Sequence, residues 1–219
     1  ALPVDETSLF LSTTDDKVAY LVELGFEQAQ QSVALILSLF ESHAYRNLGE
    51  IERQRLVKLL PLLVKAASQA PNPDECLSRL MPLVESILRR SAYMSLLVEN
   101  SLALSQLIKL CAASPWISSQ LARYPMLLDE LLDPRTLYEV PGREQQRQKL
   151  AAEIATAEAT DIEQQMSLLR EFRQISSLHV AAADVTEVLP LMRVGDQLTE
   201  LAEIQLEQIL ALSWAHLVA

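Results

Sequence analysis

Glycine is scarce in this sequence: 4 of 219 residues. Gly25, Gly49, Gly142 and Gly195 also stand far apart, with no Gly-Gly or Gly-Ser pair. A phosphate cradle needs glycines close together so that backbone N–H groups converge on oxygen. Mononucleotide and dinucleotide loops are therefore excluded, and a turn-rich β protein is disfavoured. Cysteine is limited to Cys76 and Cys111, with no C-x-x-C pair. Two thiols make no disulfide framework; they read as reduced core residues, which fits the cytosol. Basic residues are few, 18 Lys and Arg against 29 Asp and Glu, for a net charge of −11. Such a chain does not wrap a phosphate backbone through its net field, so no nucleic-acid partner is expected. Long apolar runs are also missing. The most apolar stretch, residues 33–40, falls far short of the ~20 needed to span a membrane. Ala1-Leu2-Pro3-Val4-Asp5 has no basic segment and is no signal peptide. The chain stops at Leu217-Val218-Ala219 within an apolar helical pattern that carries no stop signal. Both ends read as cut, and the expectation is a piece of a longer polypeptide.

Half of the residues are apolar, and they recur at helical spacing from end to end. A short helix is expected over 15–24, capped by Thr14 or Asp15 and stopped by Gly25. Another is expected over 26–40, with Phe26, Ala29, Val33, Ile36, Leu37 and Phe40 on one face. A third covers 50–70, where Pro61 predicts a kink or restart, since an interior proline costs roughly 3 kcal/mol. After the break Ala70-Pro71-Asn72-Pro73, Asn72 is an N-cap with Pro73 at the first helical position. The next helix, 74–90, again has an internal proline, Pro82. Asn100 separates helices 91–99 and 101–113. Ser114-Pro115, Tyr124-Pro125 and Asp133-Pro134 then punctuate a run of short helices, with Ser114 and Asp133 as N-caps. Beyond Val140-Pro141-Gly142, residues 143–156 are amphipathic. Thr160-Asp161-Ile162-Glu163 is a capping box opening a long helix to about Ala183. Its expected face is Ile162, Met166, Leu169, Phe172, Ser176, Val180 and Ala183. A last helix runs from about Asp196. No segment alternates as a strand would. The fold expected is all-α: an irregular multi-helix bundle of about nine to eleven helices without a sheet.

A search for reactive chemistry finds none. Two-metal catalysis needs clustered carboxylates, commonly Asp-x-Asp on a strand, and the sequence has none. Glu50-x-Glu52 has the spacing, but on a helix its carboxylates point about 200° apart, so they read as a solvated face. His43, His179 and His216 lack a second ligand at metal spacing. His179 reads as a hydrogen-bonded structural histidine. The serines lack nucleophile-elbow glycines. Trp116, Tyr124, Tyr138 and Phe172 read first as core or helix-junction anchors, with exposed recognition as the alternative. Residues 1–44 carry seven acids, Asp5 and Glu6 among them, against Lys17 alone. Residues 195–219 carry Asp196, Glu200, Glu203 and Glu207 with no Lys or Arg. Both ends repel nucleic acid and anionic membrane. In the last helix Ile209, Leu210, Leu212, Trp214, Leu217 and Val218 are apolar nearly all round. Such a helix is buried on most sides, either in this domain's own core or against a neighbouring domain.

One family resemblance carries further. Leu110-Cys111-Ala112-Ala113-Ser114-Pro115-Trp116-Ile117, Gln120-Leu121-Ala122-Arg123-Tyr124-Pro125 and Leu127-Leu128-Asp129-Glu130-Leu131-Leu132-Asp133-Pro134 with Leu137-Tyr138 closely resemble the glutamine synthetase adenylyltransferase family. So do Arg89-Arg90-Ser91-Ala92-Tyr93 and Leu96-Leu97-x-Glu99 upstream. Downstream, Gln164-Gln165-Met166, Leu169-Arg170-x-Phe172-Arg173-Gln174, Ala181-Ala182-Ala183-Asp184, Leu189-Pro190-Leu191-Met192 and Asp196-x-Leu198-Thr199-x-Leu201-Ala202-Glu203 agree as well. The resemblance is strong from about Leu80 onward and weak over residues 1–79. Two places depart from it. Arg193-Val194-Gly195-Asp196-Gln197 stands where the family usually has Lys-Val-Ser-Asp-His, and His179 stands where it often has a basic residue.

The resemblance implies a bifunctional enzyme with two nucleotidyltransferase cores. One removes AMP from a tyrosine of glutamine synthetase by phosphorolysis; the other adds AMP from ATP with Mg²⁺. It places this chain between the cores, so no catalytic, cofactor-binding or metal residue carries over. Residues 1–70 are expected to be an N-terminal helical segment, the tail of a preceding domain or a linker. Residues 71–219 are expected to be a helical regulatory or linker region leading into the C-terminal core. The implied partners are glutamine synthetase, the signal-transduction protein PII, the flanking nucleotidyltransferase domains and glutamine as effector, in the cytoplasm. The proline-punctuated run from 114 to 138 is the candidate regulatory or interdomain surface, represented by Trp116, Arg123, Tyr124, Asp129, Asp133 and Tyr138. The alternatives are a stand-alone α-helical adaptor, for which no regular period is found, and a complete small enzyme, against which the missing clusters argue.

Overall fold

Side-chain caps open seven of the described helices, and those of Asn72, Ser114 and Asp133 stand where the sequence marks them. The structure is a computed structural model and describes residues 13–218. The N-terminal residues read above, with Asp5 and Glu6, and the last residue, Ala219, lie outside the described part. Among the described residues there are twelve α-helices, one 3₁₀ helix and no strand, so the chain is all-α. The total exceeds nine to eleven partly because His43–Arg46 and Pro134–Leu137 fold as single turns. The chain divides after Leu132 into two compact units.

In the first unit, α1 (Thr14–Glu23) is capped by Thr13 rather than by Thr14 or Asp15. Thr13 and Asp16 form a reciprocal capping box, which needs an acid three residues after the cap. Gly25, at φ +90°, ends the helix as expected. Its N–H donates to Val22 O and the Phe26 N–H to Leu21 O, both at 3.0 Å, a Schellman closure. Helix α2 (Ala29–Glu41) buries Val33, Ile36 and Leu39. After the single turn α3 (His43–Arg46), α4 (Glu50–Ala67) runs unbroken through Pro61. The helix does not restart there. Leu56, Leu59, Leu60, Leu63 and Val64 are wholly buried around that proline. At roughly 1.5–3 kcal/mol each, their burial outweighs the ~3 kcal/mol cost of an interior proline. Helix α5 (Pro73–Ile87) behaves likewise at Pro82. Asn72 accepts from the Glu75 N–H at 3.3 Å with Pro73 at the first position, as the sequence indicates.

Helix α5 is the axis of this unit: α2, α4, α7 and α8 all pack against it. Helix α6 (Ser91–Glu99) meets α7 (Ser101–Ala113) at a 100° bend at Asn100. Helix α8 (Pro115–Arg123) starts at the Ser114 cap, and a 3₁₀ helix, Pro125–Leu132, follows. The loop at 70–73 lies within this unit, so residues on both sides of it share one core.

The second unit holds α9 (Pro134–Leu137), α10 (Arg143–Ile154), α11 (Ile162–Val185) and α12 (Leu191–Val218). Helix α11 is capped by Asp161, whose Oδ1 accepts from the Gln164 N–H at 2.9 Å. Thr160 is not the cap. Leu150, Ile154, Leu169, Phe172, Leu201 and Ile204 form the core shared by α10, α11 and α12. Of the expected α11 face, Leu169, Phe172, Val180 and Ala183 are buried, whereas Ile162 at the first turn is exposed. Helix α12 starts at Leu191, five residues earlier than the sequence suggested. No single described helix is long and apolar enough to cross a membrane.

Candidate functional site

Trp116, Arg123, Tyr124 and Asp129 lie in the first unit; Asp133 and Tyr138 lie in the second. Trp116 follows the proline that opens α8 and is 45% exposed, large for an indole and suited to recognition rather than core. Arg123 ends the same helix, and its guanidinium sits 5.3 Å from the centre of the Tyr124 ring, a cation–π pair. Tyr124 closes α8 by donating its N–H to Gln120 O at 2.8 Å. Asp129 lies on the 3₁₀ helix; partial burial and then the neighbouring Glu130 push its pKa upward. Asp133 caps α9 through the Arg135 N–H at 3.0 Å. It also takes the Arg135 fork at 3.2 and 3.1 Å. That side-chain bonding holds its carboxyl below the usual range. The Tyr138 phenol is half-buried and raised by burial. Of the six residues, Arg123 and Tyr124 pair with each other; Asp133 spends its carboxylate on a helix start.

The structure adds features with no local sequence signal. Asp74, in the first turn of α5, reaches across to the start of α2. Its Oδ2 accepts from the N–H groups of Glu27 (2.8 Å) and Gln28 (3.1 Å), and its Oδ1 from the Ser32 hydroxyl (2.7 Å). Arg79 does the opposite task at a helix end. Its Nη1 donates to the carbonyls of Cys111 (3.1 Å) and Ala112 (2.7 Å) at the last turn of α7, and Glu75 pairs with it. A groove of about 540 Å³ lies beside the end of α4, lined among others by Ala66, Gln69, Pro71, Leu104 and Ile108.

Cys76 and Cys111 are buried free thiols, as expected. Burial pushes Cys76 up to about 11 and Cys111 higher still, so both stay protonated and weakly nucleophilic at neutral pH. His43 bonds with Asn47, and His216 Nε2 lies 3.1 Å from Gln165 Oε1. His179 is buried, in keeping with a structural histidine. Among the described residues no three His, Cys, Asp or Glu side chains gather where a metal could be held.

In the second unit an ion ladder ties α10 to α12. Arg143 meets Glu203 at 2.6 Å and Glu207 at 3.1 Å, and Arg147 also meets Glu207. The Arg147 hydrogen bond, followed by Arg143, holds the Glu207 carboxyl low. Beneath it, buried Gln146 donates to Pro141 O at 2.7 Å.

Caps, helix-end clamps and exposed anchors of this kind define an all-α scaffold of packing surfaces. Comparison with known proteins gives it a family. The family model described as glutamate-ammonia ligase adenylyltransferase matches residues 104–219, more than half of the chain, and the chain belongs to that family. A bifunctional glutamine synthetase adenylyltransferase/adenylyl-removing enzyme of Nitrosococcus oceani is 49% identical over 201 residues, 92% of this chain and 21% of that protein. The enzyme of the same description from Thioalkalivibrio sulfidiphilus is 52% identical over 201 residues, again 92% and 21%. The one from Pseudomonas putida is 45% identical over 199 residues, 91% and 20%. The chain thus spans about a fifth of the length of these relatives. Matches of this extent reach well into residues 1–79, where the sequence alone offered only helical character.

Proposed function

We propose that this chain is a helical, non-catalytic part of an enzyme that adenylylates glutamine synthetase and removes the adenylyl group. It joins two nucleotidyltransferase cores lying outside it and couples the signals of PII and glutamine to them. The observation that carries this reading is the share of the match. Nearly the whole chain aligns with bifunctional enzymes, yet it accounts for only 21% of such a protein, so most of their length remains for the two reactions. The division of roles by residue, a tail or linker over 1–70 and a regulatory region over 71–219, belongs to the same proposal, as does a cytoplasmic location.

Mg²⁺ and ATP belong to the cores in this reading. The described residues bring no three metal-ligating side chains together. What this chain supplies is packing that can take two arrangements of similar energy. The short elements from Ser114 to Tyr138 suit that role, because elements of one to two turns depend on tertiary contacts rather than on their own propensity.

The test uses the longer enzyme with Mg·ATP and glutamine synthetase, with PII in either uridylylation state and with or without glutamine. Arg123→Ala and Tyr138→Ala are expected to keep unregulated AMP transfer and to alter its response to PII or glutamine. AMP transfer by the 219-residue chain unaided would end the proposal.

A further inference from the structure

The last helix leaves an apolar face open toward its C-terminal end. By its composition α12 reads as buried on most sides, yet after Ile204 none of its described residues is buried. Leu201 and Ile204 point into the core with α10 and α11. At 100° per residue, Met192, Leu206, Leu210 and Leu217 fall within about 40° of one another on roughly the opposite side, with Trp214 about 40° beyond. These five side chains are 60–85% exposed. Of these, Leu206, Leu210, Trp214 and Leu217 adjoin one another and present roughly 550 Å², at the upper end of the ~300–600 Å² of the largest patch on a typical monomer. Asp196, Glu200, Glu203 and Glu207 run along one flank of this face, where Arg143 and Arg147 of α10 engage the last two.

We propose that this face of α12 is the seat of the polypeptide that follows residue 219 in the longer enzyme. The inference rests on the reading of the chain as a piece of such an enzyme. Relatives are about five times as long, the family match reaches residue 219, and the open face occupies the end of the helix nearest to what would follow. Other occupants fit less well. A membrane-surface helix carries Lys and Arg on its polar side, and residues 195–219 have neither. A convex ridge does not enclose a small ligand. A second copy would bring another net charge of −11 against a helix that carries Asp196, Glu200, Glu203 and Glu207.

The experiment places the photo-cross-linking residue benzoylphenylalanine at 206 or 210, one at a time, in the longer enzyme, and maps products by mass spectrometry after irradiation. The expected product joins α12 to residues beyond 219 of the same polypeptide, in a yield independent of protein concentration. Cross-links between two copies, cross-links only to residues before 219, or none at either position overturn the proposal. Hydroxyl-radical labelling of the unsubstituted longer enzyme gives a second readout that needs no variant. Leu210 and Trp214 are expected to label as slowly as buried Phe172; labelling several-fold faster overturns the proposal. AMP transfer by the same preparation separates the two failures. An active enzyme with an open α12 sinks this inference alone. A covered α12 in a protein that cannot modify glutamine synthetase sinks the functional reading alone.

Discussion

Replacing Asp74 with alanine tests how the first unit is held together. Helix α2 has no side-chain cap of its own, since Gln28 makes none. Asp74 supplies it from more than forty residues away, taking the Glu27 and Gln28 N–H groups and the hydroxyl of buried Ser32. Loss of an N-cap costs about 0.5–2 kcal/mol. Leaving a buried hydroxyl without its acceptor costs about 1–3 kcal/mol, toward the lower end where water can enter. Asp74→Ala should therefore lose about 2–3 kcal/mol, a large share of the ~5–15 kcal/mol of a typical domain. Asp74→Asn keeps one acceptor oxygen and should lose about half as much. In urea the midpoint should fall at unchanged m. By hydrogen exchange the Glu27 and Gln28 amides should lose protection, while those of α11 keep theirs. Combining Asp74→Ala with Ser32→Ala should fall short of additivity, because the two share one bond. A loss below ~0.5 kcal/mol, or additivity within the ~0.3–0.5 kcal/mol of independent sites, would refute the assignment of Asp74 as the cap of α2.

Three further outcomes follow from single contacts. Glu187, at φ 58°, closes α11 in the left-handed region, so Glu187→Gly should raise stability by about 0.5–1 kcal/mol in urea, while Gly25→Ala, at φ +90° with nothing near the new Cβ, should lower it by about 1–2 kcal/mol. Glu207 is held low by Arg147 and Arg143. Its contribution is therefore complete above the unfolded carboxyl value of ~4.3 and is lost as pH falls through the lower folded value. The stability gap between wild type and Glu207→Gln should be full at neutral pH, close in acid, and narrow in high salt; a gap constant with pH contradicts the pairing. Cys76 and Cys111, both raised by burial, should resist iodoacetamide at about pH 8 in the native protein and react in urea; labelling of the folded chain within minutes goes against their burial.

Local chemistry was legible where one residue type decides the outcome. Asn72, Ser114 and Asp133 cap the helices they precede, and Gly25 ends α1, because a capping oxygen or a left-handed turn depends on neighbours in sequence. The clamps of Asp74 on α2 and Arg79 on α7 were not legible, since their partners lie 32–47 residues away and no spacing rule reaches that far. The division of the chain after Leu132 was hidden for the same reason. Two prolines mark 70–73 more loudly, but a loop separates units only if the helices flanking it bury against different partners. Of the proposed surface, Trp116 read first as a core or helix-junction anchor and is exposed; the Arg123–Tyr124 pair and the engagement of Asp133 by Arg135 depended on the fold.

Five of the seven prolines from Pro61 to Pro134 separate by what precedes them. Ser114 and Asp133 each offer a side-chain oxygen, and Pro115 and Pro134 open new helices. Tyr124 has no such oxygen within reach of the following turn, and Pro125 leads into a 3₁₀ segment held by the burial of Leu127, Leu128 and Leu131. Leu60 and Met81 offer nothing to start a helix, and each lies among apolar residues already buried in one; Pro61 and Pro82 are carried through. The residue before proline supplies the alternative to continuing, and the burial around it sets the cost of taking that alternative. Where a cap is available and few side chains are committed, the chain turns. Where several leucines are committed at roughly 1.5–3 kcal/mol each, the ~3 kcal/mol of a lost bond and a crowded ring is absorbed.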